Sequence, residues 1–323
     1  MSEIAQYIIS VILIPACVAA VAAVPIVLWS RRAATRARMA LLEGGLAFAL
    51  MAAFVLSFTR ELGWNAVLRQ MFTLENDDAP FERWHRVGLA ALLAAVAGWV
   101  LSAVRAAAVR GLGGWLTVLF VALAAAWAAL FVRFPGMDAG WQVAQGALVV
   151  ACALGYAACA RGAALWVAWG VFGVFALLSG LGGFASLSVM CGAISFGAFL
   201  IAMLTALLGK RASDDARTAV LSAGGAVALA LGTLTALVAT CGFAYAQDEF
   251  PKWAWIVAAL LPFGGYAFAP QSDRAPSAGA STFWRFIGAA ILAVALLASV
   301  GLALRPDGGD AADDGADLME MYG

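Results

Sequence analysis

Charge is scarce in this chain. Asp, Glu, Lys and Arg make up 12% of its 323 residues, about half of the roughly 25% carried by soluble domains, which excludes a water-soluble globule. Histidine is scarcer still. His85 is the only one, so the paired axial imidazoles of a transmembrane haem cannot be assembled. Cysteine supplies no framework: Cys17, Cys152, Cys159, Cys191 and Cys241 are odd in number, lie inside apolar runs and show no CxxC or metal spacing. They read as small packing residues. Catalytic signatures are missing too, for there is no GxSxG, no HExxH, no P-loop and no GxGxxG opening a helix after a strand. Enzymatic activity is therefore the least supported class, and no cofactor, metal or nucleic acid is expected.

What the chain has instead is hydrophobic length. Apolar residues make up 64% of it, the mean hydropathy is +0.94, and runs of membrane-spanning length recur at 7–29, 39–58, 87–104, 114–132, 141–160, 163–182, 186–208, 218–245, 252–269 and 285–304. Backbone groups in hydrocarbon must pair within their own segment, so these runs are helices. The expected fold is all-α: a polytopic transmembrane bundle of about ten spans, forming one domain over 1–304. Arg161 and Gly162 divide two runs whose combined length is too great for one crossing. The run from Tyr7 to Trp29 is too long for a signal-peptide core, is preceded by Glu3 and is followed by Arg31, Arg32, Arg36 and Arg38. It reads as an anchor with its N-terminus outside.

Sidedness follows from the cations. An external N-terminus places twelve Lys and Arg residues in inner loops, among them Lys210, Arg211 and Arg217, against seven in outer ones, as the positive-inside rule requires. An even span count then puts the C-terminus outside as well, in a multi-pass protein of the cell membrane. Trp29, Trp115, Trp166, Trp169 and Trp284 fall near the inner boundary, and Trp64, Trp84, Trp141, Trp253 and Trp255 near the outer one, where amphipathic rings meet headgroups. Trp99 and Trp127 lie deeper and read as packing residues.

Two segments lie outside the spans. In the outer loop over 59–86, Trp64, Val67, Leu68, Met71 and Phe72 recur at helical spacing opposite Arg60, Glu61, Asn65, Arg69 and Gln70, which predicts an interfacial amphipathic helix over 61–73. Acidic residues and glycines dominate 305–323, the composition of a disordered tail. This loop and tail are the elements through which other membrane subunits would dock.

Few residues offer chemistry. Glu43 is the only carboxylate within a span; such a group marks a functional site, or it snorkels towards Arg36 and Arg38. Pro262, Gly264, Gly265 and Tyr266 weaken the ninth span near its centre, and transporters build substrate sites from such breaks, although a proline kink alone is ordinary in lipid. Pro15 reads as such a kink. Ser188, Gly192 and Ser195, with Gly225, Gly232, Ala236 and Thr240, form small-residue stripes for helix packing. His85 stands beside Glu75, Asp77, Asp78 and Glu82 and is expected to be a solvated surface residue.

The leading functional reading is a non-enzymatic, membrane-embedded subunit or scaffold. The alternative is a secondary transporter or lipid-handling carrier using Glu43 and the Pro262 segment, since ten spans divide into two sets of five that cross in opposite senses. A weaker alternative is a haem-free, quinone-facing anchor using Arg83, His85 or Arg86. The topology is testable: single cysteines introduced at Ser213 and Asp310 should react with an impermeant maleimide from opposite sides of the membrane, and labelling of both from one side refutes it.

Overall fold

The computed structural model describes residues 3–30, 36–64, 83–107, 112–134, 137–159, 163–209, 225–245 and 251–263. Helix α1 is α-helical over Glu3–Ile8 and Ile14–Ser30, with a π turn over Ile9–Leu13. Then come α2 (Arg36–Leu62), α3 (Arg86–Ala107), α4 (Leu112–Phe131), α5 (Ala139–Ala158), α6 (Ala163–Leu181), α7 (Ala185–Gly209), α8 (Gly225–Tyr245) and α9 (Trp253–Ala259). Among the described residues there is no strand, and six helices are long and apolar enough to cross a membrane: α1, α2, α3, α6, α7 and α8. Helices α5 and α6 end and begin on either side of the Arg161 seam. The expected span at 285–304, the outer helix beyond Trp64 and the acidic tail lie outside the described residues.

Local chemistry explains the element ends. Pro15 has no N–H to give the Val11 carbonyl, and its ring would press on that oxygen in a regular helix. The chain widens just before it, Ile14 N–H reaching back to Ile9 O, so the expected kink takes the form of a π turn. Gly63, with φ of 80°, stops α2. Asp138 caps α5, its side chain accepting from Trp141 N–H at 2.9 Å. Gly183, with φ of 75°, turns the chain between α6 and α7, and Phe184 N–H closes the end of α6 on Ser179 O at 2.8 Å.

Consecutive helices alternate in direction, so one end of the bundle gathers Tyr7, Glu61, Trp84, Phe184 and Tyr245, and the other gathers Glu43 and Ser102. Helix α8 is the axis. Every residue from Ala226 to Gly242 is buried, and α8 packs on α2, α3, α4, α5, α6 and α9. Small residues permit this. A Cβ on Gly232 would stand 2.4 Å from Ala153 N, and one on Gly98 of α3 would stand 2.5 Å from Ala226 Cα, so backbone lies against backbone.

The stripe on α7 divides its work between two partners. Ser188 Oγ donates to Ala176 O at 2.7 Å and Ser195 Oγ to Trp169 O at 2.8 Å, tying α7 to α6. Gly192 instead faces Ile12 on the π turn of α1. Two tryptophans expected among headgroups are interior: Trp84 is buried between Phe58 and Phe184, and Trp255 is buried against Gly242 and Phe175. Trp99, expected to be packed, covers Gly44 and Phe48 while keeping 37% of its surface exposed. Gly232→Ala should destabilise the bundle by about 1–3 kcal/mol, the range for overpacking, because the atom it strikes is backbone. Thermal unfolding in detergent would check this, with exposed Gly170→Ala as the neutral control.

Candidate functional site

Hydrocarbon offers no partner to a charge, so an intramembrane carboxylate is held by its neighbours. Glu43 lies two turns into α2, half-buried, and its Oε2 accepts a hydrogen bond from Ser102 Oγ at 2.9 Å. The carboxylate thus turns to α3, and snorkelling alone does not describe it. Trp99, one turn before Ser102, lies over Gly44. Ser102 Oγ is also 3.4 Å from where a Cβ on Gly225 would stand. Glu43 therefore belongs to the corner where α2 and α3 meet Gly225 of α8. Sequence spacing does not reveal Ser102, because nothing in a run of apolar residues says which helix faces which.

Pro262 lies elsewhere. Helix α9 ends at Ala259, and Leu261 to Phe263 form a tighter turn, so the described part of the expected span at 252–269 is a short helix that stops before the proline. Pro262 packs on Gly155 of α5, where an added Cβ would come within 2.9 Å of Pro262 Cβ. Gly264, Gly265 and Tyr266 lie outside the described residues. Among the described residues, helices α2 and α9 share no extensive packing. Carbonyls beside the break are occupied as well: Cys152 Sγ lies 3.3 Å from Ala259 O and Cys159 Sγ 3.4 Å from Pro262 O. These two cysteines are hydrogen-bond donors and not merely fillers of space.

The opposite end carries the groups that sequence reasoning undervalued. His85 is not solvated; it is 3% exposed, with its ring centroid 4.2 Å from that of Trp84 and 5.3 Å from that of Phe58. Phe184 and Tyr245 extend this aromatic wall. Beside it, Arg86 Nη1 donates to Phe131 O at 3.2 Å while its guanidinium lies 5.2 Å from the centre of the Phe131 ring. Glu61, expected on the polar face of a surface helix, is the last carboxylate of α2. It accepts from Tyr7 Oη on α1 and from Ser186 Oγ on α7, the latter at 3.2 Å.

These clusters bind helices to one another. No group of three or more His, Cys, Asp or Glu suited to a metal occurs among the described residues. Comparison with protein-family models, with curated proteins and with solved structures finds no match. Ser102→Ala should cost about 1.5–3 kcal/mol, the range for a hydrogen bond to a charged group, reduced by the partial exposure of Glu43. Glu43→Gln keeps an acceptor and should cost less. Fully additive losses in the double variant, read by thermal unfolding, would separate Glu43 from Ser102.

Proposed function

We propose that this chain is a non-enzymatic, membrane-embedded subunit or scaffold: a multi-pass bundle of about ten spans with both termini outside and its outer loop and tail available to other membrane subunits. The burial of α8 from Ala226 to Gly242 carries this reading. A helix that occupies the axis and touches its neighbours through backbone fills the place where a carrier would keep its substrate path. Some polar side chains in the described interior add support: Ser179, Thr205 and Thr240 bond back to carbonyls of their own helices, while Ser57 Oγ and Thr233 Oγ1 are buried without a partner.

The half-buried carboxylate of Glu43 favours the second reading, a secondary transporter or lipid-handling carrier. The packing of the helices favours the first. An inverted repeat of five spans would make α2 equivalent to α7 and α3 to α8. Helix α2 packs along α3, whereas α7 and α8 do not pack along one another. Helix α3 also keeps Leu93, Val96 and Val100 exposed, while α8 presents no outer face. A quinone-facing anchor gains little, because His85 is enclosed and Arg86 is engaged by Phe131.

A rigid scaffold and a carrier differ in whether their interior opens. Cys152, Cys191 and Cys241 are fully buried, and N-ethylmaleimide should leave all three unmodified in the native protein in vesicles until SDS is added. Modification of any one of them as fast as a cysteine introduced at Ser213 would overturn the scaffold reading in favour of a carrier that exposes its core.

A further inference from the structure

Among the described residues, the sequence that follows Ala259 offers its carbonyl no backbone donor. In a continuing helix it would accept from the amide four residues on, Phe263 N–H, or in a tighter turn from residue 262. Residue 262 is proline and has no N–H. Phe263 N–H is committed to Leu260 O at 3.0 Å. An unbonded carbonyl is costly where no water reaches, and Ala254, Ala258 and Ala259 are all buried. The missing donor comes from another helix. Cys152, itself fully buried on α5, places Sγ 3.3 Å from Ala259 O.

Two turns further along α5 a second thiol reaches the same segment. Cys159 Sγ lies 3.4 Å from Pro262 O and 3.2 Å from its own Gly155 O. Between the two thiols, Gly155 lets the proline ring settle against α5, since a Cβ there would meet Pro262 Cβ at 2.9 Å and Pro262 carbonyl carbon at 3.2 Å. The spacing Cys152, Gly155, Cys159 puts all three on one face.

We propose that Cys152 and Cys159 form a two-thiol clasp on α5: Cys152 gives Ala259 O the donor that Pro262 lacks, Cys159 adds a bond to the carbonyl of Pro262 itself, and together they hold the end of α9 against α5. This conformational device is independent of whether the protein is a scaffold or a carrier. The thiol suits the place: it donates a weak bond, yet is apolar enough to lie in a hydrocarbon interior.

The distinguishing property of a clasp is coupling to the proline. Pro262→Ala returns an amide to position 262 and frees the helix to continue, so the thiol of Cys152 becomes superfluous. In the full-length protein in detergent, Cys152→Ala should lower the unfolding midpoint by about 2–4 °C in the wild-type background, the scale for one hydrogen bond in a chain of this size. In the Pro262→Ala background it should lower it by clearly less. The S–H stretching band that Cys152→Ala removes from the infrared spectrum should shift in Pro262→Ala. An equal loss in both backgrounds with an unmoved band would make Cys152 a packing residue and overturn the clasp. Should Pro262→Ala not fold, Cys152→Ser decides: a hydroxyl that replaces the donor retains more stability than alanine, whereas a serine as damaging as alanine, or worse, refutes the proposal.

Discussion

A carbonyl oxygen facing hydrocarbon has no water to turn to, and the construction of this bundle follows from that constraint. Regular helices meet it along their length but not at their ends, where the last four carbonyls have no amide of their own. The end of α4 is completed from outside: Gln145 Nε2 donates to Ala128 O at 3.2 Å and to Val132 O at 2.9 Å, and Arg86 takes Phe131 O between them. At the break before Pro262 the Cys152 thiol of α5 serves the same need at Ala259 O. Each completion requires a neighbour of defined identity at a defined height. Backbone chemistry thereby specifies which helices stand together, something apolar contact in lipid does weakly because tails and side chains are alike.

Close approach is the second determinant. Ala and Gly let α8 lie against α3 and α5 with backbones touching, and the contact area gained by so many neighbours holds a helix that meets no lipid over its buried length. The cost is tolerance, because a position where backbone meets backbone cannot absorb even a methyl group. A core built this way suits one arrangement of helices better than two, which is the physical link between the packing and the proposed scaffold role.

Ionisable groups occur at the ends of the bundle and serve as ties. Glu61 joins α2 to α1 and α7 through two hydroxyls, and Glu43 joins α2 to α3 through one. Hydrogen bonds to a carboxylate are stronger than neutral ones, and near the membrane boundary the charge is cheaper to keep than at its centre. Two such ties on α2, one at each end, set its depth and rotation against three neighbours. His85 and Trp84 close the Glu61 end with an aromatic wall in place of further charge.

The positions of α1 to α8 were legible in the residues, because a hydrocarbon layer of fixed thickness demands apolar runs of matching length and charged residues mark their limits. Even the short Arg161 seam was readable on that basis. Neighbours were not legible. A helix rich in Ala, Gly and Leu on every side has no polar face to declare which way it points, so α8 resembled any other span although it is enclosed from Ala226 to Gly242. His85, Trp84 and Trp255 were misplaced for a related reason: proximity in sequence to acids or to a span edge says nothing of the rings that close over a side chain. The serine stripe of α7 was visible, but its division between α6 and α1 arises only once three helices meet. Pro262 announced a break, and only packing decided that Cys152 and Cys159 would fill it, since the donors stand more than a hundred residues away and three-dimensional proximity alone brings an orphaned carbonyl to a thiol.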